Sequence, residues 1–571
     1  IESENFPISV VNNASAREKG GGGRPPYWEM VFWWTRKPLA GARAVITGSL
    51  LAGEVDPRQF VKWIYPSVRF RDEGYPCKPR KKGEPPPPFC FERTPHVGNP
   101  RLPSNVREEL RKVKLLDQFA GFGSIPLEAI RLGIGEVVAV EFLPTAYIFL
   151  KAVLEYPRIY SDVRVRISGK EVKELGLDSA VAKLTKAKKI IDYGVYEVLS
   201  LIYDVAKWGK WVVEKLREDQ DIRELYDEDA AVYIGTWEVK CPNTLCNRYT
   251  PLVGNWWLAK VRDKKYAYMK PKVECDKVSI EIVEGKTEGV PSPNVRGRPE
   301  LAECLLCGSR ITYIDPKTGR MYGSKSEVGN ILIRKRLEFY PKHAIREWNQ
   351  KLEEYLEGRI SLEELKSTKA RPRLLVKVKI VNKDLKFEPC NEEDNEKLWK
   401  ALEKLKQIWG DPDIPTELFA PYQMGTAGAF RITLWGFDKF YKLFNPRQLL
   451  TLVKLVKLIR EAGRRIEEKL KGEWSKEELF KYAEAVTTCL AIALVNHIRH
   501  NCIVTSVEPT QKFIAHALAF RGIAMTWNWV EEYPVMDVLG SFTRSLNSII
   551  DGLSYLVSAV SGSSSKVRVL L

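Results

Sequence analysis

Hydrophobic spacing divides this chain into segments of different periodicity. Val113 to Phe142 (VKLLDQFAGFGSIPLEAIRLGIGEVVAVEF) reads as strand, glycine turn, helix and strand. Leu115 and Leu116 end the first strand, which the pattern predicts to be buried. Ile125, Leu127, Ile130 and Leu132 mark the helix face, Gly133 closes the helix, and Val137 to Val140 form the second strand. Asp178–Leu216 carries apolar residues at helical spacing, and Gly235 to Tyr313 alternates short strands with turns. Tyr340–Leu365 is a charged helical stretch, and Arg373–Phe387 is a strand region. Beyond it the pattern predicts helices over Glu393–Trp409, Pro446–Leu470, Lys476–Asn496, Thr510–Phe520 and Asp537–Val560. Near the start, GGGGRPP (Gly20 to Pro26) is a loop, an aromatic cluster follows, and a helix begins after Pro38. CKPRKKGEPPPPFC, Cys77 to Cys90, reads as an exposed basic, proline-rich loop. No internal repeat is present.

The chain has 571 residues, enough for two to four domains, and 44% are apolar. Lys plus Arg number 90 against 73 Asp plus Glu, a formal charge of +17. Such an excess fits a polyanionic partner, or the Lys- and Glu-rich surface of a heat-stable protein. The longest apolar runs, such as LAIALV at Leu490, are too short to cross a membrane, and no signal peptide stands out. The expectation is a cytoplasmic protein, in which close cysteine pairs favour metal over disulfides.

The glycine turn carries the chemistry. A dinucleotide site requires G-x-G-x-x-G, but Pro126 stands at the third glycine position, which argues against a pyrophosphate turn. An acid (Asp117), an aromatic (Phe119), Ala120, two glycines (Gly121 and Gly123), Ser124 and a second acid at the next strand tip (Glu141, then Phe142) remain. Glycines let a ligand approach the backbone closely. Glu141 can accept both hydroxyls of a ribose, and Asp117 can act near a cationic amino-acid group. The set suits S-adenosylmethionine.

These residues also resemble a known pattern. D-x-F-A-G-x-G-S-x-P-x-E-A resembles the first motif of amino-type DNA methyltransferases, and VVAVEFLPTA resembles their next, acid-tipped motif. FWWTRKPLAGARAVI (Phe32 to Ile46) resembles the W-W-x-R-x-P-L-A-x-x-R-A-V-I signature of the large adenine-specific DNA methylases that carry a zinc ribbon. LWGFDKFYKLFNPRQLLTLVKLV (Leu434 to Val456) and MTWNWVEEYP (Met525 to Pro534) resemble two further segments of that family, in the family's order. The resemblance implies an α/β fold. It consists of a Rossmann-like methyltransferase domain, an inserted zinc ribbon and a large helical region.

Six segments are expected on this basis. They are a signature segment with the basic loop (1–105), the cofactor half of the methyltransferase domain (106–235), the ribbon (236–315) and a mixed connector (316–390). A helical DNA-binding region (391–560) and a returning methyltransferase strand (561–571) complete the set. On residue chemistry alone the signatures stay open. Trp33 and Trp34 suit base stacking or a core, and Arg36, Lys37 and Arg43 suit phosphate contact or a plain helix face. Arg447 and Gln448 suit DNA contact or a helix cap.

CPNTLC offers Cys241 and Cys246, and CLLCG offers Cys304 and Cys307. Two such knuckles ~60 residues apart suit a closed four-thiolate zinc site of structural type. Cys275 is a possible substitute ligand without a close companion. His497, His500 and Cys502 look ligand-like, but they read better as structural or solvent-exposed residues.

One motif is missing. Amino-methylases need [D/N/S]-P-P-[Y/F], whose side chain and a carbonyl accept hydrogen bonds from the target amine while its aromatic stacks on the flipped base. The chain offers only GRPPYW at Arg24–Tyr27, where arginine is a donor, and APYQ at Ala420, which lacks the acid and one proline. The expectation is that a further C-terminal part or a second polypeptide supplies the loop. The chain is then expected to act on double-stranded DNA at adenine N6, in a modification or host-defence setting. A non-catalytic cofactor- and DNA-binding subunit, an RNA methyltransferase and cytosine N4 stay open.

Overall fold

The computed structural model describes residues 4–20, 22–51, 55–79, 83–185, 189–297, 300–382, 384–419, 431–472, 474–510, 513–519 and 522–571. It is a mixed α/β structure of several sheets. It divides into two compact units. The first contains Ile1–Trp211, Arg460–Ala493 and Ser545–Leu571; the second contains Val212–Ile459 and Leu494–Arg544. No described helix is long and apolar enough to cross a membrane. The APYQ stretch at 420–423 lies outside the described residues.

The first unit begins with helix α1, Ile8–Lys19, and helix α2, Leu39–Leu50. Their apolar faces meet in a core of Val10, Ala14, Ala40, Ala44, Phe60 and Ile64. The N-terminus of α2 has no side-chain cap from its own Pro38. Instead the buried Glu18 of α1 accepts from the Ala40 N–H at 3.0 Å, which satisfies a donor that the helix cannot.

Strand β1, Lys114–Asp117, helix α3, Ser124–Leu132, and strand β2, Glu136–Val140, follow. The two strands pair in parallel, Leu115 opposite Val137, so this is a β-α-β unit as the sequence pattern predicts. Lys566–Leu570 pairs in parallel with the other edge of β2. The expectation of a buried first strand needs correction: β1 is an edge strand, and Leu116 is 58% exposed. Gly133 closes α3 at φ 86°. Its N–H donates to Ile130 O and that of Ile134 to Ala129 O, the two bonds of a Schellman cap.

Helix α3 has almost no polar face, and its charged residues are themselves interior. Arg43 of α2 donates to Glu128 through Nε at 2.5 Å and Nη2 at 3.2 Å, and Arg131 donates to Glu128 at 2.6 Å. Burial opposes ionisation of Glu128, yet Arg131 and Arg43 hold its carboxyl below the usual range. The remaining guanidinium donors reach Ile64 O, Gly98 O, His96 O and Asn99. The reading of Arg43 as a phosphate contact is therefore corrected: its side chain has no exposure and its donors are spent inside.

Two further expectations change in this unit. The stretch predicted helical over Asp178–Leu216 holds helices Asp178–Thr185 and Ser200–Glu218, with the strand Val195–Leu199 between them. That strand is rich in β-branched and aromatic residues and pairs with Arg164–Ser168. The loop read only as exposed and basic is closed at its ends by a disulfide between Cys77 and Cys90, which lie outside the two close pairs for which the sequence favours metal.

The second unit is built on an antiparallel sheet. Its order is Asp384–Pro389, Ala370–Val381, Ala230–Lys240 and Asn528–Glu532, and Tyr249–Leu252 also pairs with Ala230–Lys240. Gly235 lies opposite Trp529, and a Cβ there would meet the indole at 2.2 Å, so glycine makes room for that ring. Helix Glu392–Gln407 of this unit stands close to where periodicity predicts it, as do helix Pro446–Lys469, which belongs here up to Ile459, and helix Lys476–Ile498, which belongs to the first unit up to Ala493. The last expected helix starts later, at Phe542, where the Ser541 hydroxyl accepts from Arg544 N. The region expected as a helix over Thr510–Phe520 contributes instead to a hairpin of Ser506–Glu508 and Phe513–Ala515. The Glu508 carboxylate turns that chain by accepting from the Thr510 N–H and hydroxyl.

Arg447 is also corrected. It is fully buried and donates in bidentate fashion to Glu531, Nε to Oε1 at 2.6 Å and Nη2 to Oε2 at 3.0 Å. Tyr226 and Asn445 donate to the same carboxylate, and Tyr233 lies under the guanidinium at 4.1 Å. Gln448 donates to Asn501 and Val530 O in the same interior. Neither side chain is available to DNA.

Removing Arg447 leaves Glu531 without its buried counter-charge, and removing Arg43 takes two donors from Glu128, leaving it only Arg131. Arg43→Met and Arg447→Met should each cost about 3–5 kcal/mol in chemical denaturation; a loss under 1 kcal/mol would contradict the buried pairing. Glu18 gives a pH signature. Burial raises its pKa from 4.5 to about 7, against the opposing Ala40 N–H. Between those values the folded chain keeps a proton that the unfolded chain has released, so this contribution falls as pH rises through the window and is flat above it. Stability measured from pH 4.5 to 8 should decline less in Glu18→Gln than in the parent; parallel profiles would refute the assignment.

Candidate functional site

The glycine turn lies between the carboxyl end of β1 and the start of α3. Gly121 at φ 54° and Gly123 at φ 79° occupy the left-handed region, which a Cβ disfavours. At the strand tip, Asp117 Oδ1 accepts from the Phe119 N–H at 3.2 Å. Its Oδ2 is buried and has no hydrogen-bond partner among the described residues. A buried carboxylate oxygen without a donor is costly, so this atom marks a place for a cationic or donor ligand group.

Glu141 follows β2 and faces the same turn. Its Oε2 accepts from Gly121 N at 2.8 Å and its Oε1 from Leu143 N at 3.3 Å, tying the two strand-end turns together. Each oxygen keeps a second lone pair, so the side chain can still accept a pair of hydroxyls. Phe119 and Phe142 are 78% and 86% exposed at the rim. Ala120 is buried, and its N–H is spent on Val140 O. Ser124 turns its hydroxyl inward, 3.4 Å from that of Tyr27, so a ligand would meet only its backbone.

The segment before α2 approaches this turn. Trp33 Nε1 lies 3.8 Å from the position a Cβ on Gly121 would take. Phe122, from within the turn, stacks on Tyr27 at 5.3 Å and on Phe149 at 4.4 Å. Arg36 lies over the Phe122 ring at 5.3 Å. Trp34 and Lys37 are exposed. Tyr27 is wholly buried between Phe122 and Tyr555, so the proline-proline-tyrosine sequence at Arg24–Tyr27 presents no ring to a base. Of the candidate residues, the structure thus gathers Asp117 to Ser124, Glu141, Phe142, Trp33 and Arg36 around one turn. It withdraws Arg43 and Arg447 into the interior.

The second unit holds the cysteines. The Sγ atoms of Cys241, Cys246, Cys304 and Cys307 lie within 4.8 Å of one another, with Cys241 to Cys307 at 3.8 Å and Cys246 to Cys304 at 3.9 Å. Thiolates about 2.3 Å from a tetrahedral zinc stand about 3.8 Å apart, so the donors fit that ion. Both knuckles are shaped by backbone bonds. Cys241 N donates to Arg248 O, Cys304 N to Ser309 O and Gly308 N to Cys304 O, with Gly308 at φ 68°. Burial pushes the Cys241 and Cys304 thiols up. Cys275 is exposed and outside the cluster.

No other metal-holding group occurs among the described residues. His497 donates from Nδ1 to Gly540 O at 2.9 Å and accepts at Nε2 from Asn501. With both ring nitrogens engaged it is a structural residue, and burial lowers its pKa to about 4.

Residues 5–62 match a family model described as a protein of unknown function (DUF1156). No curated protein and no solved structure matches the chain. The matched segment contains α1, α2, Trp33, Arg36 and Arg43, the side that meets the glycine turn.

Sequence reasoning missed the buried ion pairs at Glu128 and at Glu531 and the inward Ser124. A signal was present for one of them: SIPLEAIRL has charges but no solvent face for them once both flanking strands are counted. For the cysteine cluster, metal analysis of the purified chain should find about one zinc per molecule, lost in Cys304→Ser. A metal-free parent that keeps its fold would contradict the site.

Proposed function

We propose that this chain is the cofactor- and DNA-binding part of an S-adenosylmethionine-dependent DNA methyltransferase acting on adenine N6. In this reading the first unit belongs to a Rossmann-like methyltransferase fold, and the second carries a structural zinc ribbon and helices that serve duplex binding. The observation that carries it is the unpartnered, buried Asp117 Oδ2 beside a two-glycine turn that Glu141 braces from the next strand. That arrangement matches the needs of an amino-acid-bearing nucleoside and offers no third glycine for a pyrophosphate. The order of the five methylase-like segments supports the same class.

When bound, the cofactor supplies a methyl group already activated on a sulfonium. The chain's part is to position it: Asp117 holds the ammonium, Glu141 the ribose hydroxyls, and the exposed Phe119 and Phe142 border the base. The target amine's hydrogen bonds would be accepted by a [D/N/S]-P-P-[Y/F] loop that these 571 residues lack. A second polypeptide or a further part of the protein provides it. Trp34, Lys37 and the +17 charge serve the duplex. A modification or defence system suits such an enzyme. The same missing loop favours a second reading, a subunit that binds cofactor and DNA without catalysis.

Equilibrium dialysis with labelled S-adenosylmethionine should show saturable binding. Glu141→Ala should weaken it about tenfold, the loss of charge-assisted bonds to two hydroxyls. Unchanged affinity in that variant would sink the ribose assignment. The chain alone should bind without methylating duplex DNA; transfer by it alone would place the catalytic loop within these residues.

A further inference from the structure

The glycine turn has orphaned polar atoms of both signs. Asp117 Oδ2 is a buried acceptor without a donor. On the facing segment, Arg36 Nε and Trp28 Nε1 are buried donors without an acceptor. Arg36 stands in a box of rings, 5.3 Å from Phe122 and 5.8 Å from Trp28 and from Phe32. One of its amino groups is oriented by Val31 O at 3.1 Å. Among the described residues it forms no ion pair, and its neighbour Glu29 lies 3.6 Å from Arg24 instead. Stacking on rings offsets part of the cost of burying a guanidinium, but it leaves the N–H donors without an acceptor.

A bound amino acid carries an ammonium and a carboxylate together. The turn from Asp117 to Ser124, DQFAGFGS, offers an acid for the first and no cation for the second. Trp33 brings the Val31–Lys37 segment over Gly121, and Arg36 packs on the ring of Phe122 beside it. We infer that Arg36 is the partner of the ligand's carboxylate, a binding residue supplied to the nucleoside site by the aromatic segment ahead of α2. This rests on the cofactor reading above. It gives the segment a cofactor-binding task distinct from DNA contact, and makes the site selective for the complete amino-acid side arm over a bare nucleoside.

The test compares two probes that share adenosine and sulfur: S-adenosylhomocysteine, which has the amino-acid arm, and 5′-methylthioadenosine, which lacks it. Calorimetric titration of the parent chain should find the first bound more tightly. Arg36→Met, which can still pack against the rings, should weaken S-adenosylhomocysteine about tenfold and leave methylthioadenosine within about twofold. Arg36→Lys should restore part of the loss. A thermal melt shows whether each variant is folded; if Arg36→Met is not, the parent-to-Arg36→Lys comparison decides by the same contrast between probes. Equal weakening of both probes, or none, overturns the role of Arg36 and leaves the cofactor reading standing. A parent that binds neither probe overturns both.

Discussion

Glu128, a carboxylate without access to water, is shared by Arg43 and Arg131, and the position of the glycine turn depends on that sharing. Helix α3 begins at the turn and ends at Gly133, buried nearly all round. Such a helix has no solvent face from which to take its orientation. Its orientation comes from Arg43 of α2, which grips Glu128 through two donors, while Arg131 anchors the far turn to the His96 and Gly98 carbonyls. With that cluster formed, Ser124 faces Tyr27, Gly123 packs against Leu150 and Leu154, and Glu141 reaches Gly121. A buried ionic cluster is a poor source of net stability compared with apolar packing, but it is intolerant of other arrangements. Intolerance of that kind suits a site whose backbone must lie close to a ligand.

The same device recurs in the second unit. There Arg447 and Glu531 meet among Tyr226, Tyr233 and Asn445. The two pairs join residues from the segments that resemble methylase signatures: Arg43 with Glu128, and Arg447 with Glu531. Charged residues in a recognisable motif invite a reading as ligand contacts. In this chain they are internal couplings that hold one motif against another. Of their neighbours, Trp34 and Lys37 are exposed, while Trp33 and Arg36 pack against the glycine turn.

Much of the β-α-β unit could be read directly from sequence because its signals are local. They are an apolar run, two glycines that the backbone needs at positive φ, a helical stripe and a C-terminal glycine. The four cysteines were also legible, since their spacing fixes two knuckles. What escaped depended on distant partners. Leu116 looks interior by pattern, yet it lies on an edge strand, which only sheet order reveals. Thr510–Phe520 has helical composition, but Glu508 captures the turn that follows it. Arg43 and Arg447 could not be told from surface cations without knowing which carboxylates lie opposite. The orphaned atoms of Asp117 and Arg36 were invisible for the same reason, since the absence of a partner is a property of the folded chain.

The central claim is that the turn after β1 holds an S-adenosyl nucleoside. Ultraviolet cross-linking of labelled S-adenosylmethionine to the folded chain, followed by peptide mapping, tests it most directly. The account predicts label in the Val113–Phe142 peptide or on Trp33, suppressed by excess unlabelled S-adenosylhomocysteine. Label confined to other peptides, or none that the competitor suppresses, would contradict it.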